Sequence, residues 1–290
     1  MNSSTFDIAG QPIGRVGFGA MQLPGPGVIG PPRDRDQALA VLRRVIDAGV
    51  NHIDTAQYYG PDVSNELIRE ALSPYPDNLV IVSKVGAERD AGGGWIPAQR
   101  PEKLRSGVED NLRSLGVDHL GAVNLRLLDH PAPPAERATL EDQLAEMSAL
   151  RDEGKIIGIG ISTATLDQVR QAHESVGLAC VQNAYSLLSR DDQPVLDYCV
   201  QNDIAYVPYF PLGSAFPGMP KVTDDPAVQA LAGEKGATPA QIGLAWLLGR
   251  APNVCLIPGT SSLAHLEENL AVADLELSTD ETDRLARALA

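Results

Sequence analysis

The 290-residue sequence contains few aromatic residues, few cysteines and few basic residues. Aromatic residues make up 4% of the chain, and its three cysteines, Cys180, Cys199 and Cys255, lie far apart. Their spacing matches neither a metal site nor a disulfide framework, and it predicts a protein of a reducing cytoplasm. Lysine and arginine number 23 against 38 aspartate and glutamate residues, so the net charge is −15. Because an acidic surface repels phosphate backbones and anionic lipids, nucleic acids and membrane surfaces are not expected partners.

Several sequence signals are also absent. No apolar run reaches the ~18 residues that cross a bilayer, and residues 1–10 lack the basic-then-apolar pattern of a secretory signal. A phosphate-binding loop, a zinc-binding helix and a serine-hydrolase elbow are missing. The glycines at Gly25, Gly27 and Gly30 are spaced like a dinucleotide fingerprint, but the prolines around them prevent a helix from starting there. We therefore interpret this stretch as a loop.

A unit of helix, turn and short apolar run recurs along the chain. Asp36–Ala48, Pro101–Leu115 and Thr139–Glu153 carry apolar residues at helical spacing and end at glycines. Eight strand candidates are present: Arg15–Gly19, His52–Asp54, Leu79–Lys84, Ala122–Leu127, Ile156–Ser162, Cys180–Asn183, Ile204–Tyr209 and Val254–Ile257.

Several of these strand candidates are apolar almost throughout, which is typical of parallel strands covered on both faces. Such units form either an open doubly wound sheet or a closed barrel, and eight of them in 290 residues favour the barrel. We predict an α/β fold, a (β/α)₈ TIM barrel that spans residues 1–290 as one domain. Thr5–Ile8 and Gln11–Ile13 are expected to form a hairpin at its bottom.

The carboxyl ends of the strand candidates carry polar residues. In a barrel these ends meet at the face where the chemistry takes place, so Asp54, Lys84 and Arg126 are expected to converge there. Charges so close to a core must be paired. A purely structural ion pair is the alternative interpretation.

Tyr59 favours the catalytic interpretation. It follows Asp54 by five residues, in the loop that leaves the second strand candidate. A lysine cation beside it would stabilise the phenolate and lower the pKa from ~10. With Asp54 holding Lys84 in place, Tyr59 would act as a general acid toward a carbonyl that becomes an alkoxide.

At this point the sequence resembles the aldo-keto reductase family over nearly its whole length. The segment NHIDTAQYYG is similar to the family's aspartate-to-tyrosine signature, and the lysine of IVSK matches its catalytic lysine. GKIIGIGIST, VQNAYSLL, VPYFPLGS and IPGTSSLAHLEEN follow in the family's order. The resemblance implies a (β/α)₈ barrel that uses NADP(H) without a separate nucleotide-binding domain. It also implies that Tyr59, Lys84 and Asp54 are catalytic.

The resemblance further implies a set of cofactor-binding residues. Ser162, Thr163 and Gln182 would hold the nicotinamide carboxamide, and Tyr209 would stack on the ring. The remaining positions are Gly19 at the first strand end, Leu212, Gly213 and Ser214 over the pyrophosphate, Gly259, Thr260, Ser261 and His265 around the adenosine 2′-phosphate, and Glu268 and Asn269 at the adenine. Other branches often carry a basic residue at the Gly259 and His265 positions, so a modest preference for NADPH over NADH is expected.

The fourth catalytic position departs from the family, which usually has histidine there. Counting eight residues from Asp118 reaches Arg126, whereas His130 would require a shifted register. We assign the position to Arg126 and keep His130 as the alternative. A guanidinium cannot relay protons, but it can donate hydrogen bonds to a developing oxyanion.

The expected activity is NADPH-dependent reduction of an aldehyde to an alcohol. The run AVNLRLLD and the segment from Ala20 to Leu42 resemble a bacterial branch that includes pyridoxal reductases, which favours a pyridoxal-like aromatic aldehyde as the small-molecule partner. Met21 and Trp95 lie in loops that could line its site. The alternatives are an NAD-preferring alcohol dehydrogenase and a non-catalytic barrel that senses NADPH.

Overall fold

The computed structural model describes residues 4–127, 133–134, 137–213 and 220–288. The strands among these residues are β1 (Thr5–Ile8), β2 (Gln11–Gly14), β3 (Phe18–Gly19), β4 (His52–Asp54), β5 (Val80–Val85), β6 (Ala87–Arg89), β7 (Trp95–Pro97), β8 (Leu120–Arg126), β9 (Ile156–Ser162), β10 (Cys180–Gln182) and β11 (Ala205–Tyr206). The α-helices are α1 (Arg35–Asp47), α2 (Val63–Leu72), α3 (Pro101–Leu115), α4 (Leu140–Asp152), α5 (Leu166–Val176), α6 (Gln193–Gln201), α7 (Pro226–Lys235), α8 (Pro239–Leu248), α9 (Leu263–Leu270) and α10 (Thr279–Ala288).

Seven parallel strands form a curled sheet in the order β11-β10-β9-β8-β5-β4-β3. The segment around Val254–Leu256 closes it, because Val254 bridges to Tyr206 on one side and Leu256 bridges to Val16 on the other. The predicted α/β barrel is therefore confirmed. The seventh strand is shorter than predicted, and the eighth is present only as these isolated bridges.

Helix ends follow the local chemistry of the sequence. Asp34 and Thr139 accept hydrogen bonds from backbone amides in the first turns of α1 and α4. The glycine that ends α3, Gly116, has a φ of 69°, a left-handed conformation that glycine adopts without steric cost. The apolar faces of these helices pack on the outside of the strands, where they form the largest core of the protein.

The hairpin of β1 and β2 closes the bottom of the barrel, as predicted. Ile8 and Ile13 are fully buried in one cluster with Val80, Val82 and Ala122 from the barrel strands. This apolar plug fills the bottom of the barrel, so a ligand is expected at the opposite end.

A second hairpin, formed by β6 and β7, was not predicted. It is antiparallel, and its turn contains Gly92, Gly93 and Gly94. Gly86 lets the chain leave β5 for this hairpin, since it has a φ of 102° and an added Cβ would lie 2.4 Å from the carbonyl oxygen of Arg126. The residues that the sequence suggested as a loop after Lys84 are therefore ordered strands beside the barrel mouth.

Candidate active site

Strand register brings the predicted site residues to one rim of the barrel. Gly19 of β3 pairs with Asp54 of β4, and Ser162 of β9 pairs with both Arg126 of β8 and Gln182 of β10. These residues end their strands, so the backbone alone requires that they be neighbours. The predicted convergence of Asp54, Lys84 and Arg126 is present.

A buried ion pair lies at the centre of this rim. The Nζ atom of Lys84 donates a hydrogen bond to Oδ1 of Asp54 and a second, 3.0 Å long, to the carbonyl oxygen of Thr55. Gln182 donates from Nε2 to the other carboxylate oxygen of Asp54 at 2.9 Å. Asp54 is 2% exposed and Lys84 is 5% exposed, so each charge depends on these partners.

Tyr59 lies above the ion pair, with the Lys84 Nζ atom 5.2 Å from the centroid of its ring. The pKa of Tyr59 is raised well above 10, first because the hydroxyl is buried and second because Asp54 opposes a second negative charge. Arg126 and Arg89 act in the opposite direction and lower this pKa. The pKa shift is thus opposite to the one that Lys84 alone would produce, and the cations that stabilise the phenolate are two arginines.

Arg126 is half-buried among aromatic rings. Its Cζ atom lies 5.3 Å from the ring centroid of Trp95, and it is close enough to Tyr58 to lower the pKa of that phenol, which burial raises to about 12. The Tyr58 hydroxyl is buried and has no hydrogen-bond partner of normal geometry among the described residues. Nearby phenols outweigh burial and raise the pKa of Arg126, so the guanidinium remains charged.

A cavity of about 610 Å³ opens on this rim. Its lining includes fourteen of the residues predicted from the sequence: Gly19, Met21, Asp54, Tyr59, Lys84, Trp95, Arg126, Ser162, Gln182, Tyr209, Leu212, Gly213, Gly259 and Asn269. The volume and the mixture of glycine, aromatic and polar lining suit a ligand of cofactor size together with a small substrate.

The other predicted residues are not part of this lining. Thr163 contacts it indirectly, because its hydroxyl lies 3.3 Å from the hydroxyl of Tyr209. Three of them, Thr260, Ser261 and His265, lie around the start of α9, and Glu268 lies in its second half, all outside the lining. Ser214 and the alternative residue His130 lie outside the described residues.

Sequence reasoning missed several residues at the cavity. Lys221 is one of them, and it adds a third basic side chain to Lys84 and Arg126 in the lining. The cavity is also lined by Gln22, Phe210, Pro211, Thr223, Ile257 and Pro258. Most are immediate neighbours of predicted residues, and position alone could have suggested them. Lys221 had no such signal, because it lies beyond the segments that carry the resemblance.

Comparison with known sequences identifies the family. The sequence model of the aldo/keto reductase family matches residues 15–290. The chain belongs to this family. As a member it is an oxidoreductase, which confirms the resemblance in the sequence.

Individual known proteins align with almost the whole chain. Pyridoxine 4-dehydrogenase of Escherichia coli K12 is 46% identical over 280 residues, which are 97% of this chain and 96% of that protein. An oxidoreductase of Schizosaccharomyces pombe is 36% identical over 96% of this chain and 87% of its own length.

Solved structures give the same result for the fold. An aldo-keto reductase of Klebsiella pneumoniae, solved in complex with NADPH, superposes with a TM-score of 0.81 at 28% identity and covers 99% of this chain and 95% of its own. An aldo/keto reductase from the same organism, solved with NADP and acetate, gives a TM-score of 0.79 at 27% identity and covers 98% and 94%.

Neither a membrane-spanning helix nor a cluster of metal ligands is present among the described residues. None of the helices there is both long enough and apolar enough to cross a bilayer. No group of three or more histidine, cysteine or acidic side chains there is arranged to hold a metal ion.

Proposed function

We propose that the protein reduces an aldehyde to a primary alcohol with NADPH and that Tyr59 donates the proton. The observation that supports this most strongly is the placement of Tyr59 over the buried Lys84–Asp54 pair, in the lining of a 610 Å³ cavity. A protein that only sensed NADPH would not need a buried phenol beside an open cavity.

The lining chemistry fits NADPH. Ser162 and Gln182 offer hydroxyl and amide groups for a carboxamide, and Tyr209 offers a ring for stacking. Leu212 and Gly213 would cover the pyrophosphate, with Lys221 as a cation in the same lining. In this proposal nine further residues complete the cofactor site: Gly19, Thr163, Ser214, Gly259, Thr260, Ser261, His265, Glu268 and Asn269. When bound, the cofactor supplies a hydride to the carbonyl carbon.

The protein's own residues manage the proton and the developing charge. Tyr59 transfers its hydroxyl proton to the carbonyl oxygen, so that hydride and proton together convert the aldehyde into an alcohol. The phenolate left behind is stabilised by Arg126 and Arg89, which already lower the pKa of Tyr59. Lys84 pairs with Asp54 beside the Tyr59 ring, and in this proposal the pair orients the phenol rather than lowering its pKa. Arg126 polarises the carbonyl by donating hydrogen bonds to its oxygen.

A pyridoxal-like aromatic aldehyde is the favoured substrate. The 46% identity to pyridoxine 4-dehydrogenase supports this choice. Trp95 and Met21 in the cavity lining offer apolar contact to an aromatic ring. Pyridoxal also carries an ionisable hydroxyl next to its aldehyde, which a guanidinium could bind together with the carbonyl oxygen.

The test is a panel of aldehydes, pyridoxal included, assayed for product alcohol with NADPH and in parallel with NADH. We expect reduction with NADPH, with the highest kcat/KM for pyridoxal, and a modestly slower reaction with NADH. Faster turnover with NADH would support the NAD-preferring alternative. Tight binding of NADPH without turnover of any aldehyde would support the sensor.

We also propose that residues 1–290 work as one catalytic domain in the cytoplasm. The three cysteines, Cys180, Cys199 and Cys255, are all free and buried. Thiols without a disulfide partner suit a reducing compartment, where NADPH is also maintained.

A further inference from the structure

Arg89 of β6 lowers the pKa of Tyr59, and it also organises one wall of the site. Its Cζ atom lies 3.3 Å from the centroid of the Trp95 ring, so the guanidinium stacks directly on the indole. Its Nη1 atom donates to the carbonyl oxygen of Gly93 at 2.8 Å, and longer contacts reach the carbonyls of Tyr58 and Val28. Arg89 thereby ties the β6–β7 hairpin to two loops at the barrel mouth.

Trp95 has a second arginine near its ring. Arg126 lies 5.3 Å from the same ring centroid, and Trp95 is also in edge contact with Tyr58 at 5.1 Å. Trp95 and Arg126 line the cavity, whereas Arg89 supports the indole from outside that lining. The position of Trp95 therefore depends on a residue that need not touch the substrate.

The charges around Trp95 are not balanced by acid groups of the cavity. Among the described lining residues Asp54 is the one carboxylate, and Lys84 already pairs with it. The pKa of Arg89 is lowered by burial and then by the like charge of Arg126, with smaller opposing effects of Tyr58, Tyr59 and Asp90. This surplus of positive charge lies in a chain whose net charge is −15.

We propose that Arg89 is a positioning and specificity-determining residue: by fixing Trp95 and adding a second positive charge beside Arg126, it makes the cavity select aldehydes with a negative charge next to the carbonyl. This inference rests on the proposed aldehyde reduction. An anionic oxygen there would offset the repulsion between the two guanidinium groups and accept a charge-assisted hydrogen bond from Arg126. A neutral aldehyde would leave that repulsion in place.

The matched substrates are 2-hydroxybenzaldehyde and 2-methoxybenzaldehyde, assayed at a pH where absorbance shows the hydroxyl to be ionised. The two differ little in shape, and only the first becomes an anion. The readout is the ratio of their kcat/KM values, measured as product alcohol with NADPH. For the unmodified enzyme we expect the ionised substrate to be preferred by about tenfold, the scale of one charge interaction in a partly screened site.

The variants separate charge from stacking. Arg89→Gln keeps a polar side chain and loses the charge, so the ratio should fall about tenfold toward one. Arg89→Lys keeps the charge and should retain most of the preference. Arg170→Gln is the control, because Arg170 lies on the exposed face of α5 with its Cζ atom 5.7 Å from the Tyr198 ring. The ratio of the two kcat/KM values should not change in this variant.

An unchanged ratio of the kcat/KM values in Arg89→Gln overturns the proposal. An equal fall of this ratio in Arg89→Gln and Arg89→Lys also overturns it. If Arg89→Gln does not fold, the unmodified enzyme still decides, since equal kcat/KM values for the two substrates contradict selection by charge. Failure of the enzyme to reduce either aldehyde would instead contradict the proposed function, and the two failures are thus distinguishable.

Discussion

Lys84 is held by a carboxylate and a main-chain carbonyl, and this explains why its charge does little for Tyr59. Asp54 takes one hydrogen bond from Nζ and Thr55 takes another. Burial is the largest cause of the raised pKa of Tyr59, and the carboxylate of Asp54 raises it further. The phenol is consequently protonated at neutral pH, which is the state that a proton donor needs.

Replacement of Arg126 by histidine tests its role at the residue scale. A guanidinium presents parallel donors, so one edge can bind the carbonyl oxygen and an adjacent ionised hydroxyl together, whereas histidine offers a single donor in that direction. A charge-assisted hydrogen bond contributes ~1.5–3 kcal/mol, which corresponds to a roughly 10- to 150-fold effect. Arg126→His should therefore lower kcat/KM for pyridoxal more than for benzaldehyde. Equal losses for both substrates would show that Arg126 is only a general donor to the carbonyl oxygen.

Residues at strand ends were predictable because the apolar runs that precede them are clear in the sequence. Asp54, Lys84 and Arg126 follow such runs, and a barrel brings their ends together. The electrostatics around Tyr59 were not predictable. They depend on Arg89 and Arg126, which approach Tyr59 from separate elements, and no local pattern reveals such an approach.

At the scale of elements, β4 carries a buried histidine below Asp54. His52 is 1% exposed, and its Nδ1 atom would lie 2.8 Å from a Cβ added at Gly17. Burial lowers the pKa of His52 to about 4, with a further lowering by Lys84 and an opposing effect of Asp54. The imidazole therefore stays neutral in the folded protein while the unfolded chain titrates near 6.5.

This histidine makes stability depend on pH. Between pH 6.5 and 4 the unfolded chain binds a proton that the folded protein does not, so the contribution of His52 is complete above pH 6.5 and is lost as the pH falls. The free energy of unfolding should drop by about 3 kcal/mol over this range from His52 alone. Urea titrations at several pH values would measure it. His52→Gln should remove this part of the pH dependence of the unfolding free energy, whereas the exposed control His119→Gln should leave it in place. An unchanged pH dependence in His52→Gln would refute the assignment.

The start of α9 is the second element with a testable role. Ser262 caps the helix by accepting from the backbone N–H of His265, and the Thr260 hydroxyl accepts from the backbone N–H of Ser262 at 3.0 Å. Helix N-termini favour anions. His265→Ala is expected to weaken NADPH binding more than NADH binding, with both dissociation constants measured by fluorescence titration. Equal weakening would mean that His265 does not contact the 2′-phosphate.

The β6–β7 hairpin shows where prediction from sequence failed at this scale. Each of its strands has three residues, and a turn with three consecutive glycines joins them. Such strands are too short for an alternating pattern, and glycine suggests a loop. Stacking of Arg89 on Trp95 holds the two strands together, and this contact is visible only in three dimensions.

Over the whole molecule, the barrel places positive charge inside an acidic protein. The chain has a net charge of −15, yet the described cavity lining contains Lys84, Arg126 and Lys221 against Asp54 alone. Such a cavity attracts anions such as a phosphate-bearing cofactor and repels cations. The fold class followed from eight apolar runs, and the last of them, Val254–Ile257, does close the barrel, although only through the single bridges of Val254 and Leu256.

The central claim is that the whole arrangement serves proton donation by Tyr59, and Tyr59→Phe tests it most directly. This change removes the hydroxyl and keeps the ring, while Tyr75→Phe removes a hydroxyl that only donates to the carbonyl oxygen of Leu115. The measurements are kcat for pyridoxal reduction and the dissociation constant of NADPH for both variants. General acid groups contribute ~10²–10⁴-fold, so kcat should fall by about that factor in Tyr59→Phe with NADPH binding unchanged, and it should stay near normal in Tyr75→Phe. A loss below about tenfold in Tyr59→Phe would contradict the account, because the proton would then come from another group.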